Sequence, residues 1–210
     1  MVILVQSVVH IIDDDALIRA STSFLLSSHG YATEIYANGQ EFLAEAKLKQ
    51  GCILLDLKMP GLSGHQVQEE LIRRGVPLPV IVVSGLGDLD AAVDAMKLGA
   101  VDFLQKPVRD PDLLAAVEKA MATFSKSEDK RKAKSAALAA LDRLSARERQ
   151  ILQGLLAGLS NKEIARSLGL SPRTVEMHRA SMMDDLKVSS LSEAVRIAID
   201  AELSPLEESV

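Results

Sequence analysis

The first half of the chain repeats one pattern: a short apolar run, a break, then a longer stretch with apolar residues at helical spacing. Val8–Ile12, Thr33–Tyr36, Cys52–Leu55, Val80–Val83 and Asp102–Leu104 have the length and apolar content of strands. Between and after them the spacing predicts helices over Ala16–Ser28, Gln40–Lys49, Gln66–Arg74, Leu89–Leu98 and Pro111–Phe124. Gly30, Gly75 and Gly99 each follow a helical stretch, where a left-handed cap would end it. Strand and helix alternating in this way predict an α/β fold, a doubly wound five-stranded parallel sheet with helices on both faces.

The pattern then changes. Ser125–Ala140 is rich in Ser, Lys, Glu, Asp and Ala and carries Lys126, Lys130, Arg131, Lys132 and Lys134. It reads as a solvated linker, partly helical as a continuation of the preceding helix, and its basic run as a solvated face rather than a DNA or partner contact. Beyond it no strand pattern returns. Ser145-Ala-Arg-Glu148, Ser160-Asn-Lys-Glu163 and Ser190-Leu-Ser-Glu193 are Ser-x-x-Glu sequences that predict three capping boxes, with Leu159 and Ile164 flanking the second as a hydrophobic staple. Ser171-Pro172 opens another helix with an N-cap and a first-turn proline. Helices at 146–157, 161–168, 172–186 and 191–202 follow, a small all-α four-helix domain. The middle two, joined at Gly169-Leu170, have helix-turn-helix spacing. Val175, Met182 and Leu186 share one face of the third helix and should pack on Ile164 and Leu168. There are no internal repeats. The predicted organisation is 1–124, a linker over 125–142, and 143–210.

Charge supports two parts with different partners. Residues 1–124 carry 10 Lys/Arg against 16 Asp/Glu, a net of −6; residues 143–199 carry 9 against 6, a net of +3. The single cysteine, Cys52, excludes an intrachain disulfide framework, and its place at a strand start suits a small core residue better than a reactive thiol. The apolar Met1–Ser7 has no basic region and leads into a strand, so it does not read as a signal peptide. No run reaches transmembrane length. A cytoplasmic protein is expected.

Candidate chemistry sits at strand ends, where open α/β sheets place their ligands. Asp13-Asp14-Asp15 follows the first strand, Asp56 ends the third, Ser84 ends the fourth and Lys106-Pro107 follows the fifth. Asp-Asp at a strand end also suits a helix N-cap, and Lys-Pro a turn. Together they read as a site for a phosphoryl group and a divalent metal. Carboxylate and phosphoryl donor are both negative, and a bridging magnesium (or manganese) ion neutralises that charge. Asp14 and Asp56 can ligate it with a backbone carbonyl near Lys58, Asp13 can hold a metal-bound water, and Lys106 and Ser84 can bind phosphoryl oxygens.

His10-Ile-Ile-Asp-Asp-Asp15, Leu55-Asp-Leu-Lys-Met-Pro60, Val83-Ser-Gly85 and Asp102-Phe-Leu-Gln-Lys-Pro107 resemble the receiver domain of two-component response regulators, nearest the FixJ-type (FixJ/NarL) subgroup. The resemblance implies a flavodoxin-like receiver in which Asp56 accepts phosphate from a sensor histidine kinase. It implies Asp13 and Asp14 in the metal pocket, Ser84 and Lys106 reading the phosphoryl group, a cis Lys106-Pro107 peptide, and Phe103 as a switch aromatic. Phe103 also reads as an ordinary core residue. Ser84 stands where threonine is commoner, which keeps the hydroxyl. Lys58 and Leu86 stand where the family tunes self-dephosphorylation; apolar Leu86 cannot orient a water, so slow hydrolysis is expected.

On the third helix of the second part, Arg173, Glu176, Met177, Ala180 and Asp184 lie opposite the apolar face and would face a major groove. Arg179, at the edge of the stripe, and Thr174, at the helix start, suit phosphates; Lys162, Arg166 and Lys187 add sequence-independent contacts. His178 could touch backbone or cap the core. Leu144-Ser-Ala-Arg-Glu-Arg149 through Ser171-Pro-Arg-Thr-Val-Glu-Met-His-Arg179 is similar to LuxR-type helix-turn-helix domains. That resemblance implies promoter DNA as partner, RNA polymerase downstream, activation rather than repression, and dimerisation through about Leu191–Ala201. A phosphorylation-switched, dimerising transcription factor is the resulting expectation, not an enzyme. Haloacid-dehalogenase-type phosphatases need an acid two residues after the nucleophile, where Lys58 stands. A constitutive dimer or other module indifferent to phosphorylation is the alternative.

Overall fold

The structure is a computed structural model that describes residues 7–46, 48, 50–85 and 89–206. It comprises two compact units that part between Lys126 and Ser127. In the first, strands β1 (Val8–Ile12), β2 (Ala32–Tyr36), β3 (Gly51–Asp56), β4 (Val80–Ser84) and β5 (Asp102–Gln105) alternate with helices α1 (Ala16–Ser28), α2 (Gly39–Glu45), α3 (Gly64–Arg73), α4 (Leu89–Lys97) and α5 (Asp110–Leu141), whose residues from Ser127 on belong to the second unit.

All strand pairs are parallel, in the order β2-β1-β3-β4-β5. The chain leaves β1 for β2 on one side and returns to β3 on the other, so a crevice opens beyond the strand ends of β1 and β3. Side chains alternate between two cores. Ile12, Ile53, Leu55 and Val82 join Phe42, Val67 and Leu71. Val9, Ile11, Cys52, Leu54, Ile81 and Val83 join Leu26, Leu113 and Val117. The sheet is therefore apolar on both faces, as parallel sheets under helices are. Two glycines set close approaches. A Cβ at Gly51, whose φ is +151°, would lie 1.8 Å from the Val8 carbonyl oxygen, and one at Gly64 would lie 2.4 Å from the Asp56 carbonyl oxygen.

Element ends shift from expectation for local reasons. Helix α2 stops at Glu45, because Ala46 turns extended (φ −61°, ψ 117°); Lys47 and Lys49 lie outside the described residues. Helix α3 begins at Gly64 rather than Gln66, since Ser63 and Gln66 form a reciprocal capping box. The expected linker is helical throughout to Leu141 as part of α5. It holds no Gly or Pro and is rich in Ala and Lys, both strong helix formers.

The second unit adds α6 (Ala146–Leu156), α7 (Asn161–Leu168), α8 (Pro172–Leu186) and α9 (Leu191–Asp200). Gly169, at φ +65°, ends α7 in the left-handed conformation and lets the chain turn into α8. Only part of the expected face of α8 meets α7. Val175 packs with Ile151, Ile164, Ala165 and Leu168, whereas Met182 and Leu186 join Ala137, Leu141, Leu152, Ala194 and Ala198. At 15 residues, α8 is about 22 Å long and outreaches the 8-residue α7, so its later turns pack on α5, α6 and α9 instead. Boxes form at Ser145–Glu148 and Ser160–Glu163, but not at Ser190. There the Ser190 hydroxyl accepts from the Glu193 amide, while Glu193 accepts from the Ser189 amide at 2.8 Å. Ser190 has φ −138°, against −62° and −71° in the two full boxes, and Glu193 takes its main backbone bond from Ser189 instead.

Candidate functional site

Three chain segments bring the acidic residues of the first unit together. Asp13 follows β1, Asp56 is the last residue of β3, and Lys106 follows β5. Side-chain oxygens of Asp13, Asp14 and Asp56 lie within 4.8 Å of one another; Asp13 and Asp56 are buried and Asp14 is exposed. The third acid of the run has another task. Asp15 caps α1, its carboxylate accepting from the amides of Leu17 (2.8 Å) and Ile18 (3.4 Å). Capping thus falls to one aspartate of the run and leaves its two neighbours at the crevice.

The two buried carboxylates and Lys106 are anchored. Asp13 accepts from Lys106 Nζ at 2.7 Å and from the Asp15 amide at 2.9 Å, while Arg19 donates to its carbonyl oxygen at 2.6 Å. Asp56 accepts from Lys106 Nζ through one oxygen and from the Lys58 amide, at 3.0 Å, through the other. Burial pushes the Asp56 carboxyl above the ordinary aspartate value, against the opposing pull of its hydrogen bonds from Lys106 and Lys58. Burial also opposes the charge on Lys106, but the hydrogen bonds to Asp13 and Asp56 outweigh it and hold that ammonium above the usual lysine value. One ammonium shared by two buried carboxylates, with a third at the rim, leaves excess negative charge. A hard divalent cation with oxygen ligands suits that set.

Ser84 ends β4 fully buried, and its carbonyl oxygen accepts from the Lys106 amide at 2.7 Å. Lys106-Pro107 is cis, as the resemblance implies. Phe103 is half-buried against the core on the α2–α3 side. Cys52 is buried, and burial raises its thiol to about 12, in keeping with a core role. Leu86 lies outside the described residues.

In the helical unit, Lys162, Arg166, Arg173, Glu176, Met177, Ala180, Asp184 and Lys187 are exposed, whereas Thr174, His178 and Arg179 are half-buried. Thr174 joins the cap of α8, its amide donating to the Ser171 hydroxyl at 3.1 Å. Arg179 donates to Asn161 Oδ1 at 2.5 Å and so ties α8 to the first residue of α7. Glu148 was foreseen as a capping residue only. Its carboxylate, buried, accepts from the Ser145 hydroxyl and is held below the usual glutamate value by that bond, with smaller contributions from Ser181 and His178 on α8. The Ser-x-x-Glu spacing showed the cap, but nothing local to it shows that α8 lies over the same carboxylate.

Comparison with known proteins covers both units. Residues 9–118 match the response regulator receiver domain, and residues 142–198 match the bacterial regulatory proteins of the luxR family. The chain is 45% identical to the transcriptional regulatory protein FixJ of Azorhizobium caulinodans, across 95% of each chain. It is 39% identical to the tetrathionate response regulatory protein TtrR of Salmonella typhimurium, across 91% of each. Among solved structures, the response regulator StyR matches with a TM-score of 0.79 at 34% identity, covering 92% of this chain and 98% of that one. Full-length FixJ from B. japonicum matches with a TM-score of 0.59 at 42% identity, covering 94% and 98%. The chain belongs to the response regulators: it is a FixJ-like transcriptional regulator that joins a receiver domain to a LuxR-type DNA-binding domain.

Proposed function

We propose that phosphorylation of Asp56 by a sensor histidine kinase controls this regulator, and that the phosphorylated protein pairs on promoter DNA. The observation that carries the reading is the cluster itself: a buried Asp56 carboxylate, two further aspartates with oxygens within 4.8 Å, and the Lys106 ammonium donating to it. An Asp56 oxygen attacks the phosphorus of a phosphohistidine. The new O–P bond forms as the N–P bond breaks, and the imidazole leaves with the electron pair. Magnesium or manganese, held by Asp14, Asp56 and the Lys58 carbonyl oxygen with Asp13 through a water, would supply the positive charge that lets two anions meet. Lys106 then moves its ammonium from the carboxylates to a phosphoryl oxygen, Ser84 offers its hydroxyl to another, and Phe103 turns inward behind it.

That shift would reshape the surface of α4 and β5, where two copies pair, and bring two α8 helices to a two-fold site with α9 as second contact. Lys162, Thr174, His178, Arg179 and Lys187 would meet phosphates and Arg173, Glu176, Met177 and Ala180 base edges. In this reading residues 1–124 receive the signal, 125–142 connect, and 143–210 bind DNA in the cytoplasm and recruit RNA polymerase.

The test is intact-protein mass after incubation with acetyl phosphate and magnesium, beside light scattering with beryllofluoride and magnesium. One added phosphoryl group and a shift from monomer to dimer are expected, both absent from Asp56→Asn. Unchanged mass, or a dimer of equal population with and without beryllofluoride, would overturn the reading.

A further inference from the structure

The outward face of α8 has a chemistry unlike that of a phosphate-binding surface. Glu176, Met177, Ala180 and Asp184 stand three, four, seven and eleven positions beyond Arg173, so they share one face. All five are exposed. Within that face the central turn holds one acid, one thioether and one methyl group, with no cation.

Two observations single out Glu176 and Met177. The other described glutamates of the helical unit past Leu141 have partners: Glu148, Glu163 and Glu193 accept from capping serines or their neighbours, and Glu202 pairs with Lys134. Glu176 has no hydrogen-bond or ion-pair partner among the described residues. Met177 leaves 63% of its surface in solvent on a helix whose other two methionines, Met182 and Met183, are buried and half-buried. Neither side chain supports the fold, and Glu176 would repel nearby phosphates. An acid on a DNA-facing helix is therefore an affinity penalty, offset only where its acceptor oxygens meet a donor.

In the major groove the donors are the N4 amine of cytosine and the N6 amine of adenine. Adenine sets its N7 acceptor beside N6, which a carboxylate also repels, so cytosine is favoured. The only apolar group on a base edge there is the thymine methyl, which suits the flexible, polarisable Met177 side chain. We infer that Glu176 and Met177 set this regulator's sequence preference, Glu176 by accepting from a cytosine N4 amine and Met177 by packing on the methyl of a neighbouring thymine. The inference rests on the DNA-binding reading of α8 and assigns its base chemistry.

The experiment is selection of binding sites from a pool of randomised DNA duplexes by the full chain with beryllofluoride and magnesium. It is run in parallel for wild type, Glu176→Gln and Met177→Ala. A glutamine pairs with adenine through N6 and N7, so the enriched cytosine should become adenine in Glu176→Gln, by roughly tenfold in relative affinity. Replacing the neighbouring thymine by uracil, which lacks only the methyl group, should weaken wild type and leave Met177→Ala unchanged. Sites identical for wild type and Glu176→Gln, or equal binding of thymine and uracil duplexes by wild type, would overturn the assignment while leaving DNA binding intact. Failure of wild type to bind any duplex, even at low salt where charge contacts dominate, would instead overturn the DNA-binding reading and this inference with it.

Discussion

The acidic crevice of the α/β unit and the outward face of α8 are both charged, but their surroundings differ. In the crevice Asp13 and Asp56 are only 4% and 5% exposed, and every oxygen bond described there runs to a residue of another segment or to a tight local turn. On α8, Glu176 and Met177 stand in solvent with no partner among the described residues. Buried charge must be satisfied within the fold, so the crevice is preorganised and a change at one residue alters the balance at its neighbours. Exposed residues owe the fold nothing, so the helix face can change without cost to it. In the proposed reading one region does fixed chemistry and the other accepts new specificity.

The sharpest way to break this contrast is to disturb the packing beneath each region. Gly51→Ala places a Cβ 1.8 Å from the Val8 carbonyl oxygen, across the β1–β3 pair that carries Asp13 and Asp56. The expected loss is about 4–5 kcal/mol or more, with the largest backbone effects of this kind. Hydrogen exchange should show protection lost across β1 to β5. A variant with native protection and unimpaired phosphorylation would show that the crevice does not depend on that close approach.

Ile164→Ala is the matching change in the helical unit. Ile164 is fully buried among Ile151, Ala165 and Val175, and truncation there should cost about 2–5 kcal/mol. Denaturant unfolding followed by circular dichroism reads the loss. Glu176→Gln and Met177→Ala, by contrast, should stay within about 0.5 kcal/mol of wild type, because neither touches the core. A larger effect of either would mean that the α8 face is structural.

How far the sequence showed these two regions follows from what each encodes locally. The strands and the aspartates at their ends were legible because a buried parallel strand is an unbroken apolar run, and an acid at its end stands out. The capping of α1 by Asp15 was not, since which aspartate caps the helix depends on the exit angle of β1. The same holds at Ser190, where a three-residue spacing identical to two working boxes comes with a different φ and with Glu193 bonded to Ser189 instead. The long α5 was half seen, its Lys and Glu residues reading as solvated linker and as helix alike. Glu148 shows the remaining limit. Its cap is written in four residues, whereas its position under α8 is a tertiary fact.

The smallest expected effect compares the two buried carboxylates through pH. Burial holds Asp56 above its ordinary value, so the folded state binds that proton more tightly than the unfolded chain does. Its contribution to stability is then full below the ordinary aspartate range and lost as pH rises through the folded value. Glu148 is shifted the other way, by the Ser145 hydroxyl first. Its contribution is full above the ordinary glutamate value of about 4.3 and lost as pH falls through the lower folded value. At neutral pH, therefore, Asp56→Asn should stabilise the α/β unit, and Glu148→Gln, which keeps the box but removes the charge, should destabilise the helical unit by about 0.5 kcal/mol, the scale of a carboxylate at a helix N-terminus. Both differences should shrink as pH falls, for opposite reasons: in the first the wild type regains what its buried charge cost, and in the second it loses what its carboxylate charge supplied. Thermal midpoints across the acid range, assigned to each unit by hydrogen exchange, check the signs. Destabilisation by Asp56→Asn at neutral pH would show that the Lys106 and Lys58 bonds outweigh burial at Asp56, and that the crevice is held together by the charge it was built to use.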